Sequence, residues 1–311
     1  MKTFEISKIP IKIVGNHPVA SLVLQELAFF QSTSESPEVV FNFTDKENVQ
    51  ADSNSLNLGK EIYISEENIY IDFPNYRYVV KIPIQPQTPL NVDIGFDTHV
   101  VPTNFKKRVI EMLAKINDRT YLSRLERMAY SFFLTFEFIL FLLYQHNKTV
   151  LHGSSITRNN RTVLITGWGG TGKTSTQLQL ISKHGWKYLS DDISLVDSIG
   201  NVYYYPRYIM IYPYNLLGQK ELYLKLIGER NLVDRLQWAL KKRQYGLHGV
   251  RRRISPVSIH GKDNIGISGK ITQVIYIIRY KNTSFELQKC NGVDLVPKVA
   301  NVVAAEYSHY L

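Results

Sequence analysis

The apolar positions change period along the chain, and the change predicts two parts. In residues 1–105 the apolar runs are short. Ile11–Val14 and Val39–Phe43 read as strands, and Glu61–Ile64 with Ile69–Asp72 flank a polar turn and read as a hairpin. Between the first two strands, Val19, Val23, Leu27 and Phe30 recur at helical spacing. Tyr78–Ile82 is a further strand candidate, after which Pro83, Pro86 and Pro89 break the pattern. Residues 31–37 and 46–60 are polar and read as loops. From Asn104 the runs lengthen: Asn104–Ile116 and Leu122–Gln145 read as helices. Thr149–Leu151 and Thr162–Thr166 read as strands. A glycine-rich stretch, a helix at Lys173–Lys183 and a strand at Lys187–Ser190 follow. Leu216–Gln244 reads as helical, with Leu232, Leu236 and Leu240 on one side; Gln273–Arg279 reads as a strand and Asp294–Glu306 as a closing helix. The expected fold is α/β, with a smaller N-terminal α/β domain over 1–105 and a larger domain over 106–311.

The glycine-rich stretch carries the most specific chemistry. Residues 167–174 read GWGGTGKT and fit the P-loop pattern G-x-x-x-x-G-K-[ST] at every fixed position. Gly167, Gly169, Gly170 and Gly172 let the backbone turn its N–H groups inward, and Thr171 completes the loop. Those groups and the positive end of the following helix suit a polyphosphate. In this pattern Lys173 reaches the β- and γ-phosphates and Thr174 offers its hydroxyl to Mg²⁺. The apolar strand Val163–Ile165 enters the loop and a helix with Leu178 and Ile181 leaves it, which is the context a working site requires.

Two further features lie close by in sequence. Asp191 and Asp192 end the next strand candidate; one carboxylate can organise Mg²⁺ while the other accepts a proton from an attacking hydroxyl or water. His152, in LHGSS, ends the strand candidate upstream of the loop and can ligate metal or tune an aspartate.

Composition narrows the setting. Apolar residues make up 44% and charged residues 21%, as in an ordinary globular protein. The run Ala129–Gln145 is shorter than the ~20 residues of a bilayer span and carries Glu137 in its middle, so it reads as a buried helix. The single cysteine, Cys290, rules out an internal disulfide and fits a reducing compartment such as the cytoplasm. Met1–Val14 lacks the apolar core of a signal peptide. The net charge of +10 is local. Residues 235–262 hold eight basic side chains and no acidic one, which points to a phosphate, an acidic peptide or nucleic acid as local partner. Arg251, Arg252 and Arg253 are candidates to clamp a phosphate or an acceptor, and Arg207 is another. With no recognisable nucleic-acid module, the 20 tyrosines are expected to pack rather than stack on bases of RNA or DNA.

Taken together, the HG dipeptide at His152, the P-loop, the His184–Gly185 turn and the strand closing in Asp191–Asp192 resemble the HPr kinase/phosphorylase family. That family and its relatives share a P-loop core with the phosphoenolpyruvate carboxykinases. The likeness is specific over His152–Val196; Tyr205-Pro206-Arg207 and the stretch Ser255–Ile277 are weaker echoes. It implies an HPr-kinase-like P-loop core that uses ATP and Mg²⁺. Residues 167–175 would bind the phosphates, with Thr174 and Asp192 at the metal, Asp191 as base and His152 in support. The implied acceptor class is a serine-bearing peptide, protein or small molecule. The hexamers of HPr kinases make a homo-oligomer one possibility here. Two departures, Ser175 in place of an acidic residue and the missing glycine-rich, arginine-containing signature downstream, argue against HPr itself as substrate and against phosphorolysis. The competing readings are a nucleotide- or nucleic-acid-binding regulator without transfer and, ranked below it, a carboxykinase-like enzyme.

Overall fold

The computed structural model describes residues 2–6, 8–30, 36–59, 61–73, 76–81, 89–96, 121–142, 147–280 and 286–307. The expected helix Asn104–Ile116 and the prolines at 83 and 86 lie outside these residues. The architecture is mixed α/β. The chain divides into two compact units: residues 1–136 with 223–254, and residues 137–222 with 255–311.

The first unit is built on a mixed eight-stranded sheet ordered β1-β2-β3-β8-β7-β6-β5-β4. β1 (Lys2–Ile6) and β2 (Ile9–Val14) form an antiparallel pair, and β2 alternates buried and half-buried positions. The helix Pro18–Leu27 then carries the chain to β3 (Val39–Asp45), which runs parallel to β2. Its Val19, Val23 and Leu27 are fully buried, as the spacing predicted. β4 (Leu56–Gly59), β5 (Ile62–Ile64), β6 (Asn68–Phe73) and β7 (Tyr76–Lys81) form an antiparallel meander ending on β8 (Leu90–Phe96). β4 falls in a stretch that read as loop, and β8 had no counterpart in the sequence reading. Phe132 of the helix Tyr121–Leu142 packs edge-on to Phe41 of β3 at 4.9 Å.

The expected long helix over 216–244 is broken. A 3₁₀ turn (Pro213–Leu216), a short helix (Lys220–Tyr223), a π turn (Leu224–Gly228) and the helix Leu232–Tyr245 replace it. Gly218 takes a left-handed φ of 73°, and Asn231 caps the last helix by accepting from the Asp234 N–H at 2.9 Å. Leu232, Leu236 and Leu240 are more than half exposed, while Asp234, Gln237 and Trp238 are buried.

The second unit centres on β9 (Lys148–Arg158), far longer than the three residues that read as strand. Its first half pairs with β12 (Ile193–Asp197), and its second half lies between β10 (Arg161–Thr166) and β11 (Lys187–Ser190). β10 and β11 therefore run parallel with β9 between them. β13 (Asn201–Tyr203) pairs with β12, and β16 (Ser268–Tyr276) pairs with β13 and then, in parallel, with β10. The ladder β9-β12-β13-β16-β10-β9 closes on itself. The short strands β14 (Ile209–Ile211) and β15 (Arg252–Ile254) belong to the second and first unit respectively. No helix among the described residues is long and apolar enough to cross a membrane.

Candidate active site

β10 ends at Thr166, and the glycine loop carries the chain into the helix Lys173–His184. β10 is paired on both sides, so the base of the loop is fixed. Gly167 closes against a neighbouring strand end: a Cβ there would run into the carbonyl of Ile277. Gly172, just before the helix, has a φ of 101°, a conformation that side chains rarely adopt. Around Gly169, Gly170 and Gly172 a Cβ would meet nothing within 4 Å. Lys173 is buried, and its ammonium donates to the carbonyls of Gly167 (2.7 Å) and Trp168 (3.0 Å).

Asp191 and Asp192 form the tight turn between β11 and β12, where the Ile193 N–H donates to the Asp191 carbonyl at 2.8 Å. Asp191 is buried. Its carboxylate accepts from Ser154 Oγ at 2.5 Å and from Thr174 Oγ1 at 3.1 and 3.2 Å. Burial, then the charge of Asp192, pushes its pKa up to about 6, against the pull of the Ser154 and Thr174 hydrogen bonds and of Lys173. A lattice of hydroxyls lies beneath. Ser155, Ser190 and Ser194 are linked through their Oγ atoms, and Gln177 donates to the carbonyls of Ser190 (2.6 Å) and Ser155 (3.2 Å). This lattice ties the loop helix to the strands that carry the acidic pair.

Asp192 points elsewhere. Its φ is 67°, left-handed, and its side chain is 45% exposed. Arg207 meets it at 3.0 Å, and His152 Nδ1, buried on β9, lies 3.7 Å away. The guanidinium of Arg207 is itself buried and reaches back to Glu137 at 3.1 Å. Burial first, and the charge of Asp192 further down, raise the Glu137 pKa to about 7, against the attraction of Arg207. The acidic residue in the apolar run is thus one end of a Glu137–Arg207–Asp192 bridge.

A cavity of about 190 Å³ opens over these groups. His152, Lys173, Thr174, Asp191 and Asp192 line it together with residues 169–172, and Tyr208, Met210, Tyr212, Tyr214 and Asn215 form its other wall. Asn215 Nδ2 donates to Ser175 Oγ at 2.9 Å. The structure therefore brings His152, the glycine loop with Thr171, Lys173 and Thr174, and both aspartates to one cavity, with Ser175 and Arg207 bonded to its rim. Arg251, Arg252 and Arg253 belong to the other compact unit. Arg252 is buried on Asp234 (2.9 Å) and Gln237 (3.2 Å), and Arg253 lies over the Tyr130 ring at 4.9 Å. Sequence reasoning missed Ser154, although it lies in the quoted LHGSS, and it missed Glu137 as a partner of Arg207 and the tyrosine wall.

The oxygen donors at the loop mouth suit a small divalent cation. Magnesium is commonly held by one or two protein oxygens, with phosphate oxygens and waters completing the shell. Thr174 and Asp191 supply such a pair. Among the described residues no group of three or more His, Cys, Asp and Glu side chains is placed to hold a metal without a ligand's help.

No family model matches the chain, and no curated protein sequence matches it. Among solved structures, the Hpr(Ser) kinase/phosphatase from Coxiella burnetii is similar over 51% of this chain and 95% of that one, at 14% identity and a TM-score of 0.26. A likeness at that level decides neither fold nor chemistry.

Proposed function

We propose that the chain is a nucleotide-dependent phosphotransferase with a P-loop core, moving the γ-phosphoryl group of ATP to a hydroxyl of a serine-bearing peptide, protein or small molecule. The observation that carries the reading is the meeting of Thr174 and Asp191 at 3.1 and 3.2 Å at the mouth of the loop that bears Lys173. A glycine turn that bound nothing would not need a buried carboxylate aimed at its threonine. The proposed catalytic region is 106–311, with 1–105 as an accessory domain; the compact unit that holds these residues is 137–222 with 255–311, and residues 106–136 and 223–254 group with 1–105.

The loop amides and Lys173 would hold the phosphates, the lysine trading its two loop carbonyls for phosphate oxygens. Thr174 and an aspartate would hold Mg²⁺, which when bound neutralises charge on the β- and γ-phosphates. Asp191, with a pKa pushed up to about 6, is suited to take the acceptor proton near neutral pH. The Thr174–Asp191 contact favours a second division of labour. There Asp191 joins the threonine at the cation, and Asp192, more exposed and beside His152, meets the hydroxyl.

The deciding experiment is incubation with γ-labelled ATP, Mg²⁺ and a panel of serine-containing peptides and metabolites. Label should pass to a serine-bearing acceptor and Lys173→Ala should abolish the transfer; undiminished turnover in that variant refutes the reading. Asp191→Asn separates the two assignments. A base leaves Mg²⁺–nucleotide binding intact and stops transfer, whereas a cation ligand loses the Mg²⁺ dependence of binding.

A further inference from the structure

We propose that the tyrosine wall of the cavity, residues 208–214, is the platform for the base of a nucleoside polyphosphate. The proposal rests on the phosphoryl-transfer reading of the same cavity and extends it from the phosphates to the rest of the donor.

The segment alternates. Tyr208, Met210, Tyr212 and Tyr214 line the cavity, while Ile209 and Ile211 between them are 1% and 0% exposed. Ile209–Ile211 is a strand and Pro213–Leu216 a 3₁₀ turn; a strand with one face in the interior ordinarily shows polar side chains on the other. Here the second face is aromatic and uncharged, and it lines a cavity bounded across from it by a phosphate-binding loop. A bare polyphosphate would gain nothing from such a wall; it would call for cations. The rings of Tyr212 and Tyr214 stack at 5.2 Å between centroids and 14° between planes. Two near-parallel rings offer a flat face that a third planar ring extends, and every nucleobase has such a face.

The ends of the segment fix its direction along the phosphate track. Arg207, at its start, holds Asp192 at the acidic end of the cavity. Asn215, at its end, holds Ser175, the residue after Thr174 in the first turn of the loop helix. A P-loop lysine and threonine grip the β/γ end, so the sugar and base lie beyond, on the Ser175 side. Tyr212 and Tyr214 stand next to Asn215, at the nucleoside end. Trp168, the aromatic residue within the loop, is half exposed and does not line the cavity.

The test compares two probes on the full chain with Mg²⁺ by titration calorimetry: ATP and inorganic tripolyphosphate. Wild-type protein should bind ATP more tightly than tripolyphosphate. Tyr212→Ala and Tyr214→Ala should each weaken ATP by roughly 5- to 100-fold, the range of one lost base–aromatic stack, and leave tripolyphosphate unchanged. Tyr212→Phe should keep the ATP affinity. Equal affinities for the two probes in wild type overturn the proposal, as does unchanged ATP affinity in both alanine variants. A parallel loss of both probes would mean that the wall only props the cavity open, and overturns it too. If wild type binds neither probe, the phosphate reading itself fails, an outcome distinct from the others.

Discussion

Asp191 and Asp192 are chain neighbours held in opposite environments, and the contrast has measurable consequences. Asp191 is enclosed and its folded-state pKa, about 6, lies above the ordinary carboxylate value. A raised pKa means the folded state binds the proton more tightly. Its stabilising contribution is full below the ordinary value and is lost as pH rises through about 6. In nucleotide- and metal-free protein, Asp191→Asn should therefore raise the unfolding midpoint at pH 8. The gain should shrink through pH ~6 and vanish near pH ~4; thermal melts across that range check it, and a gain independent of pH contradicts the assignment. The pKa of Glu137 is raised as well, to about 7, and the residue is one end of an ion-paired bridge. Arg207 keeps Asp192 when Glu137 is removed, so Glu137→Ala should cost less by denaturant unfolding than the ~3–5 kcal/mol of a buried charge left with no partner. Glu137→Gln, which still accepts from Arg207, should cost less.

At the scale of elements, the helix Leu232–Tyr245 shows what local pattern hides. Its Leu232, Leu236 and Leu240 are more than half exposed, and the buried residues are Asp234, Gln237 and Trp238. The polar pair is satisfied by arginines distant in sequence or outside the helix. Arg230 reaches Asp234 at 3.0 Å and Glu126 at 2.7 Å, and Arg252 takes Asp234 and Gln237. Trp238→Ala should then cost about 3–5 kcal/mol, while Leu236→Glu should stay within about 0.5 kcal/mol; the reverse order in chemical denaturation would mean the faces are misassigned. The same logic separates what was legible from what was not. The loop from Gly167 to Thr174 could be read because its constraints are local: glycines at a tight turn, then a lysine and a threonine opening a helix. Arg207 could be singled out but not assigned, because its partner Glu137 is 70 residues away and looked like a lone charge in an apolar run. β8 was hidden by the prolines before it, although Leu90, Val92, Ile94 and Phe96 alternate cleanly and are buried. β9 was underread because only its first half looks apolar, while its buried Ser155 is bonded to Ser190 of β11 and its buried Ser154 to Asp191.

For the molecule as a whole, one of the eight basic residues of the window 235–262 is buried. Arg252, at its centre, is consumed by Asp234 and Gln237, so the field outside is weaker than the sequence count suggests. The phosphate reading predicts a different whole-protein response. Mg²⁺–ATP at 100 times its Kd should stabilise the fold by about 2.7 kcal/mol, seen as a rise in the unfolding midpoint. Lys173→Ala should remove that rise while keeping the ligand-free midpoint close to wild type.

The closed ladder of the second unit bears on how such a response arises. Each of its five strands has a neighbour on both sides along at least part of its length, so none is free to peel from the rest. The springboard of the glycine loop is one of those five. Slow, shared exchange of the amides of β10 with those of β9 and β16, before any ligand is added, would show that the cradle's mount is rigid in advance. Little of the binding energy would then be diverted to building it.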